Sequence, residues 1–358
     1  MNFAYRFPAV RGIQSHREYY ISMVPMKLLT KLFPSEEETI LPEYRAQRKI
    51  NELRIPEIRD YIVNNRDSYV FSALSASIDG EFEYKPSGIN DDVGILEVNM
   101  EATFLINDGQ HRKAAIEEAI KEDPTIGDET ISIVFFKDEG LLKSQQMFTD
   151  LNKHAVKTSN SLSTLYDSRD SLAVATKKVI ESVPFLNKYT DKEKDNLGKN
   201  SLNLFTLTCI YKANTKILHN DCTDEDTKFL ISFWNGVADN IPEWMELQKK
   251  QLTKKDLREH YITTLAITMY AFGRLGRYFY DNRSIAMNNY LFKLQDIDWL
   301  RSNQENWLGR AIKNDGKIKN NEEAAILTCA KIKQLIGIPL SKDEKIKEKQ
   351  LTAVNHKK

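Results

Sequence analysis

The stretch Asp108-Gly109-Gln110-His111-Arg112 joins two segments of different periodicity. Before it, Ala102-Thr103-Phe104-Leu105-Ile106-Asn107 alternates as a strand does. After it, Lys113-Ala114-Ala115-Ile116-Glu117-Glu118-Ala119-Ile120 places apolar residues at helical spacing. A strand must therefore run through a tight Asp-Gly turn into a helix whose first turn carries His111 and Arg112. A helix N-terminus presents unpaired N–H groups and a partial positive charge. Gly109 lets an anion approach the backbone, and Arg112 can grip a phosphate with two nitrogens. The pattern admits a phosphate site over Asp108, Gly109, Gln110, His111 and Arg112. It equally admits a plain strand-to-helix connection with a solvated Arg112 and a capping Asp108.

Other segments extend this pattern. Tyr69–Ile78 reads as a strand closed by an Asp79-Gly80 turn. Val93–Met100 and Thr103–Ile106 read as strands close enough for a hairpin, and Ile131–Phe136 is a further β-branched strand. A strand-turn-helix-strand unit of this length suits an α/β crossover. Arg45–Asn64 reads as two short helices split near Pro56, which fits the first turn of the second. There Ile58, Tyr61 and Ile62 form a core face, and Arg45, Arg48, Arg54, Arg59 and Arg66 point largely away from it. These arginines are either a solvated face or, in part, lining for the anion site. The acidic run Glu36-Glu37-Glu38 reads as a solvated loop or helix start. Lys143–Ala155 reads as a helix with Met147, Phe148 and Leu151 inward. Asn152 follows on that stripe and needs a partner, either a backbone group or a ligand held by the Asp108 turn.

After Phe136 no convincing strand is legible. Helical patterns cover Leu165–Val183, Ser201–Leu218, Asp224–Lys250, Lys255–Asp281, Arg283–Leu294 and Asn321–Ile336, with Thr223 or Asp224 and then Asn321 as caps. The fold class expected is α+β: an α/β domain over residues 1–160, an all-helical domain over 161–340, and a charged, frayed tail over 341–358. Lys+Arg and Asp+Glu balance at 51 each, so a nucleic-acid role needs a local basic face and not a basic total. Two stretches offer one. The first is Lys254, Lys255, Arg258, Arg274, Arg277 and Arg283, with Tyr278, Phe279 and Tyr280 interleaved. The second is Arg310, Lys313, Lys317 and Lys319 around an Asn314-Asp315-Gly316 turn. Both are also what a solvated surface beside an aromatic core looks like. Trp234, Trp244, Trp299 and Trp307 read as core anchors.

Cys209, Cys222 and Cys329 lack the close spacing of a redox or zinc pair and read as small buried hydrophobes, which fits a reducing cytoplasm. The N-terminus lacks a signal peptide's apolar core. No apolar run reaches the roughly 20 residues that span a bilayer. Asp108 and His111 are candidates for acid–base work, with His154 beside Asn152 leaving a composite site open. They fall short of a metal-ligand set, and no P-loop, H-E-x-x-H or serine elbow occurs.

D-G-Q-H-R is the signature of the bacterial DGQHR-domain proteins. In length and further motifs the chain resembles the DndB family of DNA phosphorothioation systems. The supporting motifs are Arg45-Ala46-Gln47-Arg48, Arg54-Ile55-Pro56-Glu57-Ile58-Arg59-Asp60-Tyr61-Ile62, Tyr69-Val70-Phe71-Ser72-Ala73-Leu74 and Met147-Phe148-Thr149-Asp150-Leu151-Asn152-Lys153-His154-Ala155. The resemblance implies strands over Tyr5–Val10 and Tyr19–Val24 about a turn at Gly12. It implies a ParB/sulfiredoxin-like N-terminal domain, with Gly109, His111 and Arg112 on a phosphate and Asn152 contributing through the F-x-D-x-N pattern. Sulfiredoxin activity is not implied, because the position of its cysteine is Gln110, which cannot attack. The implied function is a DNA-binding accessory protein that represses the modification operon. Its partners would be double-stranded DNA, other phosphorothioation proteins and further copies of itself. Two alternatives stand beside it. One is a nucleotide hydrolase or ParB-like nuclease using Asp108, His111 and Arg112 with a nucleoside triphosphate and magnesium. The other is a non-catalytic subunit docked on the sulfur-transfer enzymes. Arg45 and Arg48 join the basic stretches above as DNA-contact candidates.

Overall fold

A computed structural model describes residues 3–34, 51–88, 90–153, 158–198, 201–218 and 221–355. Arg45, Arg48, the run Glu36-Glu37-Glu38 and His154 lie outside the described residues. The chain divides into two compact units, Met1–Val156 and Lys157–Lys358.

The first unit is built on a mixed sheet. Its elements are β1 (Ala4–Gln14), β2 (Arg17–Pro25), α1 (Leu29–Leu32), α2 (Ile55–Asn64), β3 (Leu74–Asp79), β4 (Phe82–Pro86), β5 (Val93–Asn99), β6 (Thr103–Asp108), α3 (Gln110–Glu122), β7 (Thr130–Lys137) and α4 (Leu141–Lys153). The strand order is β4-β5-β1-β2-β7-β3-β6. β3 and β7 run parallel, and the other described neighbours are antiparallel. Alternation puts Phe7, Val24, Leu74, Leu96, Ile106 and Phe135 on one face, where Leu29, Ile62, Ile116 and Ala119 of the helices close the core. Burying each of these side chains larger than alanine contributes about 1.5–3 kcal/mol. On the other face Val93, Val10 and Ile21 lie side by side across three strands and are 40–50 % exposed.

Several connections differ from the sequence expectation. The β1–β2 turn falls at Ser15 and His16, both left-handed (φ 52° and 62°), and not at Gly12. Two positive φ values in a two-residue loop match the twist of the flanking strands. Gly12 pairs with Tyr19, whose ring occupies the place a Cβ would take. β5 and β6 form no hairpin with each other: β5 pairs with β1 and β4, and β6 pairs with β3. The helical crossover from β6 to β7 therefore spans β3 and joins strands of opposite direction. The strand expected from Tyr69 begins only at Leu74, and just before it the carbonyls of Ser72 and Ala73 accept from the Arg112 guanidinium. Pro56 does sit in the first turn of α2, and Ile62 is its fully buried residue. In α4 Met147 is half-buried, whereas Leu151, expected inward, is 40 % exposed.

The second unit is predominantly helical. It comprises α5 (Asn160–Tyr166), α6 (Ser171–Ser182), α7 (Pro184–Tyr189), α8 (Leu207–Asn214), α9 (Asp224–Ala238), α10 (Pro242–Gln248), α11 (Lys254–His260), α12 (Ala266–Asp281), α13 (Met287–Leu291), α14 (Gln304–Trp307), α15 (Glu322–Ile336) and α16 (Lys342–Asn355). A two-residue parallel pair, β8 (Thr190–Asp191) with β9 (Phe205–Thr206), interrupts it where no strand was legible. The long Asp224–Lys250 pattern splits because Pro242 cannot continue a helix and starts the next one. The Lys255–Asp281 pattern splits where Tyr261 bridges Leu300 and Ile262 N–H donates to Trp299 O. Thr223 caps α9 in a capping box with Asp226. All four tryptophans are fully buried, with Trp299 and Trp307 stacked at 5.4 Å. Of the tail, the described residues Lys342–Asn355 form α16, which is pinned by Lys333–Glu344 and Arg310–Glu348 ion pairs, both nearly buried.

Candidate functional site

Asp108 is the last residue of β6 and pairs with Ser75 beside an irregularity in the β3 ladder. Gly109 follows as the N-cap of α3 in the left-handed region (φ +106°). A Cβ there would run into Leu74 Cδ2 and crowd the Arg112 guanidinium. Glycine is thus required twice, by its φ and by the space. One turn on, Arg112 folds back: Nη1 donates to Ser72 O and Ser72 Oγ at 2.6 Å each and to Ala73 O at 2.9 Å. Nη2 donates to Asp108 Oδ2 at 2.6 Å. His111 Nε2 accepts from Asn51 N–H at 3.0 Å, so that nitrogen carries no proton in this arrangement.

The turn therefore ties together β6, the start of α3, the Ser72-Ala73 approach to β3 and Asn51. Arg112 is not a solvated side chain, and its two terminal nitrogens are committed to protein oxygens. Asp108 is not a cap of α3, since no side chain caps that helix; it is the counter-ion of Arg112. What the turn presents to an anion is the backbone N–H row at the α3 N-terminus. Next to it, buried Asn107 donates to Ser77 Oγ (2.7 Å) and Met147 Sδ (3.2 Å), fastening α4 over the sheet. Its Oδ1 has no partner among the described residues. Sequence reading passed over Asn107, although an Asn closing an apolar strand was a signal of a buried polar contact. The side chain of Asn152 is outside the described ones.

Of the α2-region arginines, Arg59 and Arg66 are held in ion pairs and are not free cations. Arg59 pairs with Asp60 and Glu122, and Arg66 with Asp123 and Glu129. A cleft of about 1460 Å³ in this unit is lined by none of residues 108–112. Its carboxylates (Glu18, Glu81, Glu83, Glu97, Glu139, Asp150) outnumber Arg17, Lys137 and Lys143, which disfavours a phosphate ligand there.

The basic stretches of the second unit separate in the structure. Arg274 pairs with Glu322, Arg277 with Asp281, and Arg283 with Asp226 while lying over the Phe229 and Tyr280 rings. These three are neutralised in place. Lys254 lies over the Tyr189 ring, while Lys255 and Arg258 line a pocket. Arg310 grips Glu348 with two nitrogens at 3.0 and 2.7 Å and is 12 % exposed, so it is a structural residue. Lys319 bonds Gly309 O and Glu323. Lys313 and Lys317 remain exposed, Lys317 beside Asp315. Burial pushes the Cys209 and Cys329 thiols up to about 12, which leaves them inert as nucleophiles.

A family model for DndB, described as DNA-sulfur modification-associated, matches residues 7–339. The chain belongs to the DndB family. The match takes in the DGQHR turn and most of the helical unit, so the DndB family pattern extends well beyond the motifs of the first 160 residues. No curated protein and no solved structure gives a significant match. Among the described residues no helix is long and apolar enough to cross a membrane, and no three His, Cys, Asp or Glu side chains gather as a metal site.

Proposed function

We propose that this DndB-family chain is a DNA-binding accessory protein of a DNA phosphorothioate modification system and represses the modification operon. Membership of a DNA-sulfur modification-associated family carries the reading. The first unit is taken as ParB/sulfiredoxin-like, on the strand–turn–helix at Asp108–Arg112. Phosphate contact there falls to the α3 N-terminal N–H groups, with Arg112 and Asp108 holding the turn in shape.

The DNA surface is assigned to the end of the helical unit where the Lys313–Lys317 turn meets α16. Arg310–Glu348 fixes this turn to the helix, and Gly309 abuts Leu351. Glu344 and Glu348 are turned inward to Lys333 and Arg310, while Lys313, Lys317, Lys342, Lys345 and Lys349 stay exposed. Exposed lysines supply the sequence-independent part of DNA affinity, through release of counterions. The partners are duplex DNA, other proteins of the system and further copies of the chain, with a nucleotide as an effector.

A reporter fused to the region upstream of the modification operon tests the repressor reading. The intact chain should lower its output, and the Lys313→Ala, Lys317→Ala double variant should relieve that repression. Output indifferent to the presence of the chain contradicts it.

A further inference from the structure

Lys255, Arg258 and Arg301 line a cavity of about 400 Å³ at the start of α12, together with Thr264 and Ala266. Arg301 is the informative residue, and sequence reading did not single it out. Its Nε donates to Tyr261 O at 3.1 Å and its Nη2 to Arg258 O, which fixes the guanidinium plane. Among the described residues nothing accepts from Nη1, and no carboxylate forms an ion pair with this side chain. Burial pulls its pKa below the ordinary arginine value, with Glu259 offsetting only part of that. A half-buried cation without a bonded anion is costly, and such a charge is retained where a ligand supplies the counter-charge.

The surroundings agree. Arg258 is oriented by Gly198 O and Asn203 O, and Lys255 is exposed at the rim. α12 runs for 16 residues, and no side chain caps its N-terminus. Its first N–H groups and its dipole therefore add to the same positive potential. Two acids share the lining: Glu259 is exposed, and Asp195 already accepts from Asn160 N, Ser161 N and Thr208 Oγ1. A volume of this size suits a small molecule, whereas duplex DNA lays its phosphates along open surface.

We infer that this pocket binds the phosphate group of a small molecule, held by Arg301, Arg258 and Lys255 at the N-terminus of α12. It shares no residue with the Asp108–Arg112 turn or with the exposed lysines assigned to DNA, and it does not depend on the repressor reading.

The full-length chain is titrated with inorganic phosphate, pyrophosphate and AMP, by thermal shift and by calorimetry. At least one should bind, and Lys255→Ala and Arg301→Gln should each weaken it by about tenfold, as loss of one charge-assisted hydrogen bond does. Lys228→Ala, outside the pocket, should bind as the wild type. AMP bound more tightly than pyrophosphate assigns the pocket to a nucleotide; the reverse order assigns it to a free phosphate or polyphosphate. The inference is overturned if none of the three shifts the melting temperature at about 10 mM, where mass action would reveal a millimolar site. It is also overturned if Lys255→Ala, which removes only a rim side chain, binds with wild-type affinity.

Discussion

Arg112 Nη2 lies 2.6 Å from Asp108 Oδ2, so the first turn of α3 is clamped to the end of the strand that feeds it. The same guanidinium bonds Ser72 O, Ser72 Oγ and Ala73 O with a side chain only 17 % exposed. Arg112→Ala removes all of these at once and leaves acceptors without partners. The expected loss of stability is on the order of 3 kcal/mol. Urea unfolding should show a lower midpoint, and an unchanged midpoint would return Arg112 to a surface role.

Gly109→Ala meets two penalties together: a left-handed φ of +106° and a collision with Leu74 Cδ2. A cost of roughly 2–3 kcal/mol is expected, larger than the about 1 kcal/mol of a left-handed alanine in open space. Calorimetric melting checks it. A variant as stable as the wild type would mean that the turn adapts freely.

How far the sequence spoke is seen at this turn. The change of periodicity across Asp108-Gly109 located β6 and α3, because periodicity is a local property. It could not say where Arg112 would point, since its acceptors at Ser72 and Ala73 are 40 and 39 residues away. The same limit explains β5 and β6. Two strands three residues apart look like a hairpin, yet the sheet order places β1, β2, β7 and β3 between them. The basic stretches were legible as composition only. Arg274, Arg277 and Arg283 look like Lys313 and Lys317 in sequence, and only tertiary partners separate neutralised charges from exposed ones. Arg301 carried no local signal, because its significance lies in the carbonyls and the cavity that surround it.

Glu243 sits in the first turn of α10, 8 % exposed, with Oε2 unpartnered among the described residues. Burial raises its pKa from 4.5 to about 7. A carboxyl raised in the folded state contributes its stability fully below the unfolded value near 4.5, and that contribution is lost as pH rises through about 7. The swing is on the order of 3 kcal/mol. Glu243→Gln should therefore flatten the fall in stability between pH 5 and about 7.5 and be the more stable form above it. Parallel stability–pH curves for variant and wild type would contradict this.

Arg310 and Lys313 are three residues apart and should behave oppositely. Arg310→Ala breaks a two-point pair with Glu348 in which both side chains are 12 % exposed, and should cost about 3 kcal/mol. Lys313→Ala and Lys317→Ala should change stability by less than about 0.5 kcal/mol. Urea titration separates them; equal effects would remove the structural role assigned to Arg310.

The most direct measurement is a gel-shift titration of the purified chain with duplex from upstream of the modification operon, against unrelated duplex, across a series of salt concentrations. Preferential binding of the upstream duplex is expected, with the probe intact. In the Lys313→Ala, Lys317→Ala variant the salt slope should fall by about one unit for each phosphate that is no longer neutralised. Equal affinity for both duplexes, cleavage of the probe, or a wild-type salt slope in that variant would contradict this.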